Sequence, residues 1–429
     1  MKNEKSGSTG KFLKAMVWVL AIVLTAGIGM GPAFAADTIK IGYISPLTGS
    51  HAEFSESDPY MITKMKAILK DGLVIKGKKY QVEILQKDSQ SSTDRAATLA
   101  GQLILKDEVD LLLVPDSLSS ITAADQAEVL EVPMVSTMMP WQAWMFPRKG
   151  DPAVGFKWTY HFFWGLEDVM KCYTDMWTSV QTNKIVGGMY ANNPSGQAFA
   201  DKKFGLPAAI ASIGYKEVDG GVFIEGSQDY SPYITTFKNG NTDIITGLSY
   251  VQDWATFWSQ AAQQGLKPKV VTMAACLLFP SGLEVLGDRG DGLTTEVWWS
   301  PVVPYKSSLT GETAAELAAS YEKENKRQWT QPIGYAHAIW EIGIEALKRA
   351  GDPHDKDAVR KALAEMKMDT IVGAINWADT PIKNVSKTLL VGGQWRLGGQ
   401  YKYELLIVNN NAAPQIPVQA KLKLMTDLK

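Results

Sequence analysis

Apolar and polar positions along this chain fall into short blocks that read alternately as strand and helix. The first block, 38–45 (TIKIGYIS), alternates and then runs apolar, as a strand entering a core does, and the turn PLTGSHAEFSES follows it. Residues 59–70 make a candidate helix and 79–86 (KYQVEILQ) a second strand. The polar turn at 88–93 offers Ser92 and Thr93 as caps for a helix over 94–106, whose Ala96, Leu99, Leu103 and Ile104 share one face. Leu111, Leu112, Leu113 and Val114 then run without a break, the pattern of a parallel strand covered on both faces. The chain turns abruptly polar at Asp116, Ser117, Ser119 and Ser120, a Ser-rich turn leading to a short helix over 123–131 and a strand that ends near Ser136 and Thr137. This order predicts a parallel sheet with right-handed crossovers, and ligands of such sheets gather at the carboxyl ends of the strands.

A Pro/Trp-rich stretch at 140–155 breaks the rhythm, which resumes with a helix over 166–180. Strands follow over 184–190, 218–223, 242–248 and 269–274, with helices over 197–213, 230–239 and 252–264 between and after them. Long helices read over 312–325 and 334–350, the second stopped by Gly351 and Pro353, and a shorter one over 357–366. The tail TLLVGGQWRLGGQYKYELLIVNN alternates around glycines and predicts antiparallel hairpin strands. The second half repeats the first. The expected class is therefore α/β, with two Rossmann-like domains built on parallel-sheet cores and a ligand cleft between them.

The start of the chain changes what the composition means. Lys2, Lys5, Lys11 and Lys14 precede an apolar run over 15–28, and Ala33-Phe34-Ala35 forms a small-residue cleavage site. Residues 1–35 thus read as a secretory signal peptide; a membrane anchor is the alternative, although the run is short for a span of ~20 residues. No Cys precedes Cys172, so no thiol is placed for lipid attachment, and the mature protein is expected to be exported and soluble, without a lipid anchor. Loss of this segment removes four Lys and one Glu, leaving 39 basic against 44 acidic residues. With no basic patch, nucleic acid is excluded as a partner. Cys172 and Cys276 are too few for a disulfide scaffold; export permits them to pair, but nothing in the sequence brings them together.

Enzyme signatures are missing. The G-x-G-x-G string from Gly27 to Gly31 falls inside the signal segment, and neither a P-loop nor a G-x-S-x-G elbow occurs. The four His, at 51, 161, 337 and 354, show no metal-ligand spacing with one another or with the two Cys. The expectation is a binding protein without catalytic residues, cofactor or metal.

Several blocks, in order, resemble a known family. IKIGYISPLTGSHAEF is similar to its opening strand and ligand loop, VEILQKDSQSSTDRAATLAGQLILKDEVDLLLVPDSLSS to the segment through its serine loop, and VPMVST to the next strand. IVGGMYANNPSGQAFADKKF, DIITGLSYVQDWATFWSQAAQQGLKPKVV and IGYAHAIWEIGIEALKRAGDPHDKDAVRKAL look like the second domain and the returning helices. The family is the periplasmic substrate-binding proteins of ABC transporters, in the branch that includes the branched-chain amino-acid-binding proteins. The resemblance implies a type I periplasmic binding fold with discontinuous domains, placed here at 36–161 plus 298–383 and at 162–297 plus 384–429, joined by a three-crossing hinge. It further implies a periplasmic monomer that closes on a small-molecule ligand and hands it to a membrane permease, or, as a sensor, presents its closed state to a membrane receptor.

The resemblance also places the ligand contacts. Ser117 aligns with the serine that holds a ligand carboxylate, which suits a helix N-terminus, although Ser117 could merely cap its own helix. Ser136, Thr137, Met138 and Met139 occupy the next strand end, Phe54 the place of an aromatic wall, and His51 the same loop, where a solvated ring is the plainer reading. From the second domain come Tyr190, Asn193, Ser195, Tyr250, Gln252 and Cys276. Family members that bind α-amino acids carry an acid on the third of these loops, where TMAACLLFPSG has Ala275 and Cys276, and Asp253 is as well placed to cap a helix as to replace it. A buried ammonium without a counter-charge is costly. The expected ligand is therefore an aromatic or bulky apolar carboxylate, with a branched-chain amino acid or amide as the alternative. Of 14 Trp, most belong in the core; seven (141, 144, 164, 254, 258, 298 and 299) fall near strand ends or hinge segments, and Trp141 is chosen as the ligand contact.

Overall fold

The computed structural model describes residues 37–428, so the expected signal peptide lies outside the described residues. Its first strands are β1 (Thr38–Ser45), β2 (Leu73–Ile75), β3 (Lys78–Asp88), β4 (Leu111–Val114), β5 (Met134–Thr137) and β6 (Thr159–Phe162). Next come β7 (Ile185–Ala191), β8 (Lys216–Phe223), β9 (Ile244–Ser249), β10 (Val270–Ala275) and β11 (Thr294–Val297). A small hairpin, β12 (Lys367–Thr370) and β13 (Gly373–Asn376), precedes β14 (Val385–Ser386), β15 (Val391–Leu397) and β16 (Tyr403–Asn409).

Two seven-stranded sheets result, ordered β14-β6-β5-β4-β1-β3-β2 and β16-β15-β11-β10-β9-β7-β8. Both are parallel except at one edge: β2 runs against β3, and β15 and β16 form the antiparallel hairpin expected of the tail. The unbroken apolar run of β4 has its use here. Leu111 and Leu113 pack with Ile41, Tyr43 and the helix Pro332–Ala350, while Leu112 and Val114 pack on the other face with Ala96, Leu103, Ala123 and Ala127. A strand covered by helices on both faces has no polar face to show.

The chain passes from one sheet to the other three times, after Phe162, after Val297 and after Ser386. Phe162 and the pair Val385–Ser386 belong to the first sheet, so the sequence-based boundaries at 161 and 383 cut that sheet short.

Three other expectations need correction. The Ser-rich stretch is not a turn: the helix Ser117–Val129 starts at Ser117, capped by Asp116, whose carboxylate accepts from the Ser119 N–H at 2.8 Å. The helix read over 197–213 is two, Pro194–Ala200 and Leu206–Ser212, with the close-packed Gly205 between them. Strands β6 and β11, absent from the sequence reading, are buried throughout although they carry His161, Thr294, Thr295 and Glu296. Their polar groups are satisfied internally: Ser136 Oγ lies 2.9 Å from His161 Nδ1, and His161 Nε2 lies 2.8 Å from the Met139 carbonyl. Cys172 and Cys276 are both free and buried. No helix of the described residues is long and apolar enough to cross a membrane.

Burial of acids gives the fold a pH signature. Desolvation pushes Asp58, Glu296 and Glu341 up to about 7 and Asp116 to about 6, all above their unfolded values. Each therefore contributes stability that is complete at low pH and is lost as pH rises through its folded value. Burial pushes His161 down to about 3 and His337 to about 4, so their contribution is complete above the unfolded value of 6.5 and fades below it. Above pH 6.5 only the acids remain in play among these six. His354 acts in the same direction as the acids: burial lowers it, but Asp110 and Asp37 outweigh that and hold it up. The melting temperature should fall steadily between pH 6.5 and 8.5. A melting temperature that rises across that interval contradicts the assignment.

Candidate functional site

A cleft opens where the carboxyl ends of the two sheets face each other. The first sheet supplies Phe54 from the loop after β1, Ser117 after β4, and Met138 and Pro140 after β5. The crossings add Phe163, Trp164 and Trp298. From the second sheet come Ser195 and Phe199 after β7, Leu248 and Tyr250 at the end of β9, then Ala274, Ala275 and Leu278 around the end of β10, and Glu296 of β11. Of the residues expected from sequence, the structure thus gathers Phe54, Ser117, Met138, Ser195 and Tyr250.

The position of Ser117 follows from the cap. Because Asp116 caps the helix, the Ser117 hydroxyl is not needed for that role, and it stands half-buried at the first helical position. The first turn of a 13-residue helix leaves N–H groups without intrahelical partners and carries the positive end of the dipole, which favours an anion. Met138 and Ala275 occupy equivalent places at the ends of β5 and β10, and both adopt left-handed backbone, with φ of 62° and 65°. Such strain in non-glycine residues collects at binding sites.

The other expected residues lie elsewhere. The Ser136 hydroxyl is taken by His161, and the Thr137 hydroxyl donates to the Phe162 carbonyl, so both serve the β5–β6 pairing. Met139 packs with Trp144, Met145 and Val385 in a separate small core. Trp141 donates from its indole N–H to Glu167 at 3.1 Å and borders an outer groove with Phe146 and Phe204, away from the cleft. Tyr190 donates to Glu217 at 3.0 Å, Gln252 is exposed, and Cys276 is fully buried behind Ala275. Asp253 binds the Gly226 N–H and the Tyr230 hydroxyl, at 2.8 and 2.6 Å, and does not line the cleft.

His51 and Asn193 form part of the rim. The His51 ring lies 4.1 Å from that of Tyr250, and its Nε2 is 3.9 Å from the Glu225 carboxylate, a contact that holds Glu225 below its ordinary range. Asn193 caps its own helix through the Gly196 N–H at 2.9 Å and also donates to Glu225. Phe54 meets Phe279 edge-on at 4.9 Å. The halves are therefore in contact across the cleft, which retains only about 50 Å³ of space. A cavity of about 150 Å³ accepts benzene, so the space in this conformation is smaller than a ring-bearing ligand needs.

Sequence reasoning did not single out Glu296, and the Trp141 it chose does not line the cleft. Trp164 and Trp298 line the cleft, and neither indole N–H has a hydrogen-bond partner among the described residues. Glu296 is 2 % exposed, and burial pushes its carboxyl up to about 7, opposed by hydrogen bonds from Tyr173 first among several donors. The loop after β10 does lack an acid, but the adjacent strand supplies one, and the argument against an ammonium group loses its basis. The signal was a single acid between Thr294-Thr295 and Val297-Trp298. Among the described residues no group of three or more His, Cys, Asp or Glu is placed to hold a metal ion.

Known proteins share this fold. The solute-binding protein of an ABC transporter from Rhodopseudomonas palustris BisB5, solved with 3,4-dihydroxybenzoic acid, is 20% identical, with a TM-score of 0.67 over 86% of this chain and 97% of that one. A second R. palustris solute-binding protein, solved with 4-hydroxybenzoate, is 16% identical, with a TM-score of 0.70 over 87% and 96%. The branched-chain amino acid substrate-binding protein LivJ from Streptococcus pneumoniae, in complex with isoleucine, is 16% identical, with a TM-score of 0.66 over 86% and 100%. No curated protein sequence matches the chain. The family profile described as periplasmic binding protein matches residues 38–391, a span that holds both sheets up to the start of β15 and every residue of the cleft. The chain belongs to the periplasmic binding protein family, a family of binding proteins and not of enzymes.

Proposed function

We propose that this protein captures one small carboxylate between its two lobes, closes over it by bending at the three crossings, and delivers it to the membrane permease of an ABC transporter. The moving lobes in this reading are residues 36–161 with 298–383 and 162–297 with 384–429, adjusted so that Phe162, Val385 and Ser386 stay with the first sheet. The protein acts as a periplasmic monomer without a lipid anchor. One observation carries the proposal: a single cleft takes its walls from four strand ends of each sheet, so a ligand held there touches both lobes at once. The structural neighbours solved with hydroxybenzoates are described as solute-binding proteins of ABC transporters, and the one solved with isoleucine as the substrate-binding protein of a branched-chain amino acid transporter. Phe54, Met138, Phe163, Trp164 and Trp298 give the cleft broad apolar walls, which favours an aromatic or bulky apolar carboxylate. A branched-chain amino acid is the second reading, and Glu296 is the observation that favours it.

A thermal-shift screen of aryl carboxylates and branched-chain amino acids tests this. Ligand at 100 times its Kd adds about 2.7 kcal/mol to the stability of the folded form, and the stabilising compound should be recovered unchanged. Turnover of the stabilising compound, or no stabilisation by either class, contradicts the proposal. Ser117→Ala should weaken the carboxylate ligand by about 1.5 to 3 kcal/mol, measured calorimetrically, through loss of a charge-assisted hydrogen bond. Unchanged affinity would place the carboxylate elsewhere in the cleft.

A further inference from the structure

We propose that Glu296 selects the ligand, so that the cleft takes a carboxylate that also carries a hydrogen-bond donor, an O–H or an N–H, received by the Glu296 carboxylate. The inference rests on the reading of the cleft as a carboxylate site and adds which second group the ligand must carry.

Its basis is geometric. Glu296 is the only charged side chain among the described residues that line the cleft. It reaches the cleft from the second sheet, whereas Ser117 reaches it from the first, so a ligand held between the sheets meets donors on one wall and an acceptor on the other. Both side-chain hydroxyls that serve Glu296, those of Tyr173 and Thr295, donate to Oε2, the second at 2.9 Å. The backbone N–H groups of Ala275 and Glu296 also approach the carboxylate. Two hydroxyl donors on Oε2 fix the carboxylate plane, and Oε1, which receives neither of them, keeps lone-pair capacity for a ligand donor. The unpartnered indole N–H groups of Trp164 and Trp298 add to the donors available for the ligand's own oxygens.

The cost of a mismatch supplies the selectivity. An apolar ligand end set against Glu296 strips water from a carboxylate and returns no hydrogen bond, and sites built for a polar group reject analogues that lack it more sharply than apolar pockets reject a missing methylene. A phenolic hydroxyl and an α-ammonium both supply the missing donor. That shared chemistry reconciles the hydroxybenzoates and the isoleucine seen in structural relatives.

The test uses two matched pairs, 4-hydroxybenzoate with benzoate and leucine with 4-methylpentanoate, titrated calorimetrically into the full mature protein and into Glu296→Gln. The wild-type protein should prefer the donor-bearing member of at least one pair by tenfold or more. In Glu296→Gln that ratio should fall to within threefold, while affinity for the donor-free member stays level or rises. A purely structural Glu296 would lower both members of a pair alike and leave the ratio intact, which overturns the inference. A wild-type protein that binds both members equally overturns it without any variant, so the question stays open to test even if Glu296→Gln fails to fold. Binding of none of the four compounds at millimolar concentration overturns the inference together with the carboxylate reading; binding with an unaltered ratio overturns the inference alone. Which pair responds tells a hydroxyl-bearing aryl acid from an amino acid.

Discussion

Gly247→Ala should cost more than about 4 kcal/mol of stability, enough to leave little folded protein. Gly247 lies in β9 opposite Met189 of β7, with φ of +143°, and a Cβ built there falls 1.7 Å from the Met189 carbonyl oxygen. Neither strand can move away, because β7 and β9 are central to the second sheet and paired on both sides. Gly265→Ala makes the control: its φ is also positive, at +71°, but nothing lies within 4 Å of the added atom, so only the backbone penalty of about 1 to 2 kcal/mol applies. Urea midpoints for the two variants separate close approach from conformational strain. Equal losses would mean that the β7–β9 register is wrong.

Trp298→Ala should weaken ligand binding by roughly 30-fold or more, the effect of truncating a large ring in a desolvated pocket at about 2 kcal/mol. Trp298 follows β11 at the second crossing and stands edge-on to Phe163 and Tyr335, at 5.2 and 5.4 Å. Trp141→Ala should change affinity less than threefold, because that ring turns to Glu167 and Phe146 outside the cleft. Calorimetric titration of both variants with the same ligand decides between the two rings. A larger loss at Trp141 would return the site to the neighbourhood that the strand-end argument alone suggested.

The parts of the fold legible in sequence are those where one physical effect dominates. Leu111 to Val114 announced a doubly covered strand, and the glycine-studded tail announced its hairpin. What escaped notice, β6 and β11, carries polar side chains into the core. A hydrophobicity pattern sees Thr294, Thr295 and Glu296 as surface, and it cannot show that the Thr294 hydroxyl meets the Val271 carbonyl or that Thr295 serves Glu296. The helix start was misjudged for a similar reason, since serines in a first helical turn look like serines in a loop.

The site was legible at the level of strand ends and illegible at the level of side chains. The expected contacts lie on or near strand ends, but the left-handed turns at Met138 and Ala275 break the alternation of side chains, and no period predicts which following residue faces inward. Hence Leu278 lines the cleft while Cys276 does not, and Trp164 does while Trp141 does not. Fine choices of this kind depend on backbone torsion and on pairing between distant segments, as when His161 takes the Ser136 hydroxyl.

The central claim is that ligand draws two lobes together over this cleft. In the described conformation Phe54 meets Phe279, and His51 meets Tyr250 and Glu225, across the cleft, and the proposal takes this as the closed form. Small-angle scattering of the mature protein with and without a stabilising ligand measures this directly. The account requires a larger radius of gyration in the free protein and a scattering curve at saturation that fits the closed conformation. Identical curves in the two states, with binding verified on the same sample, would contradict it.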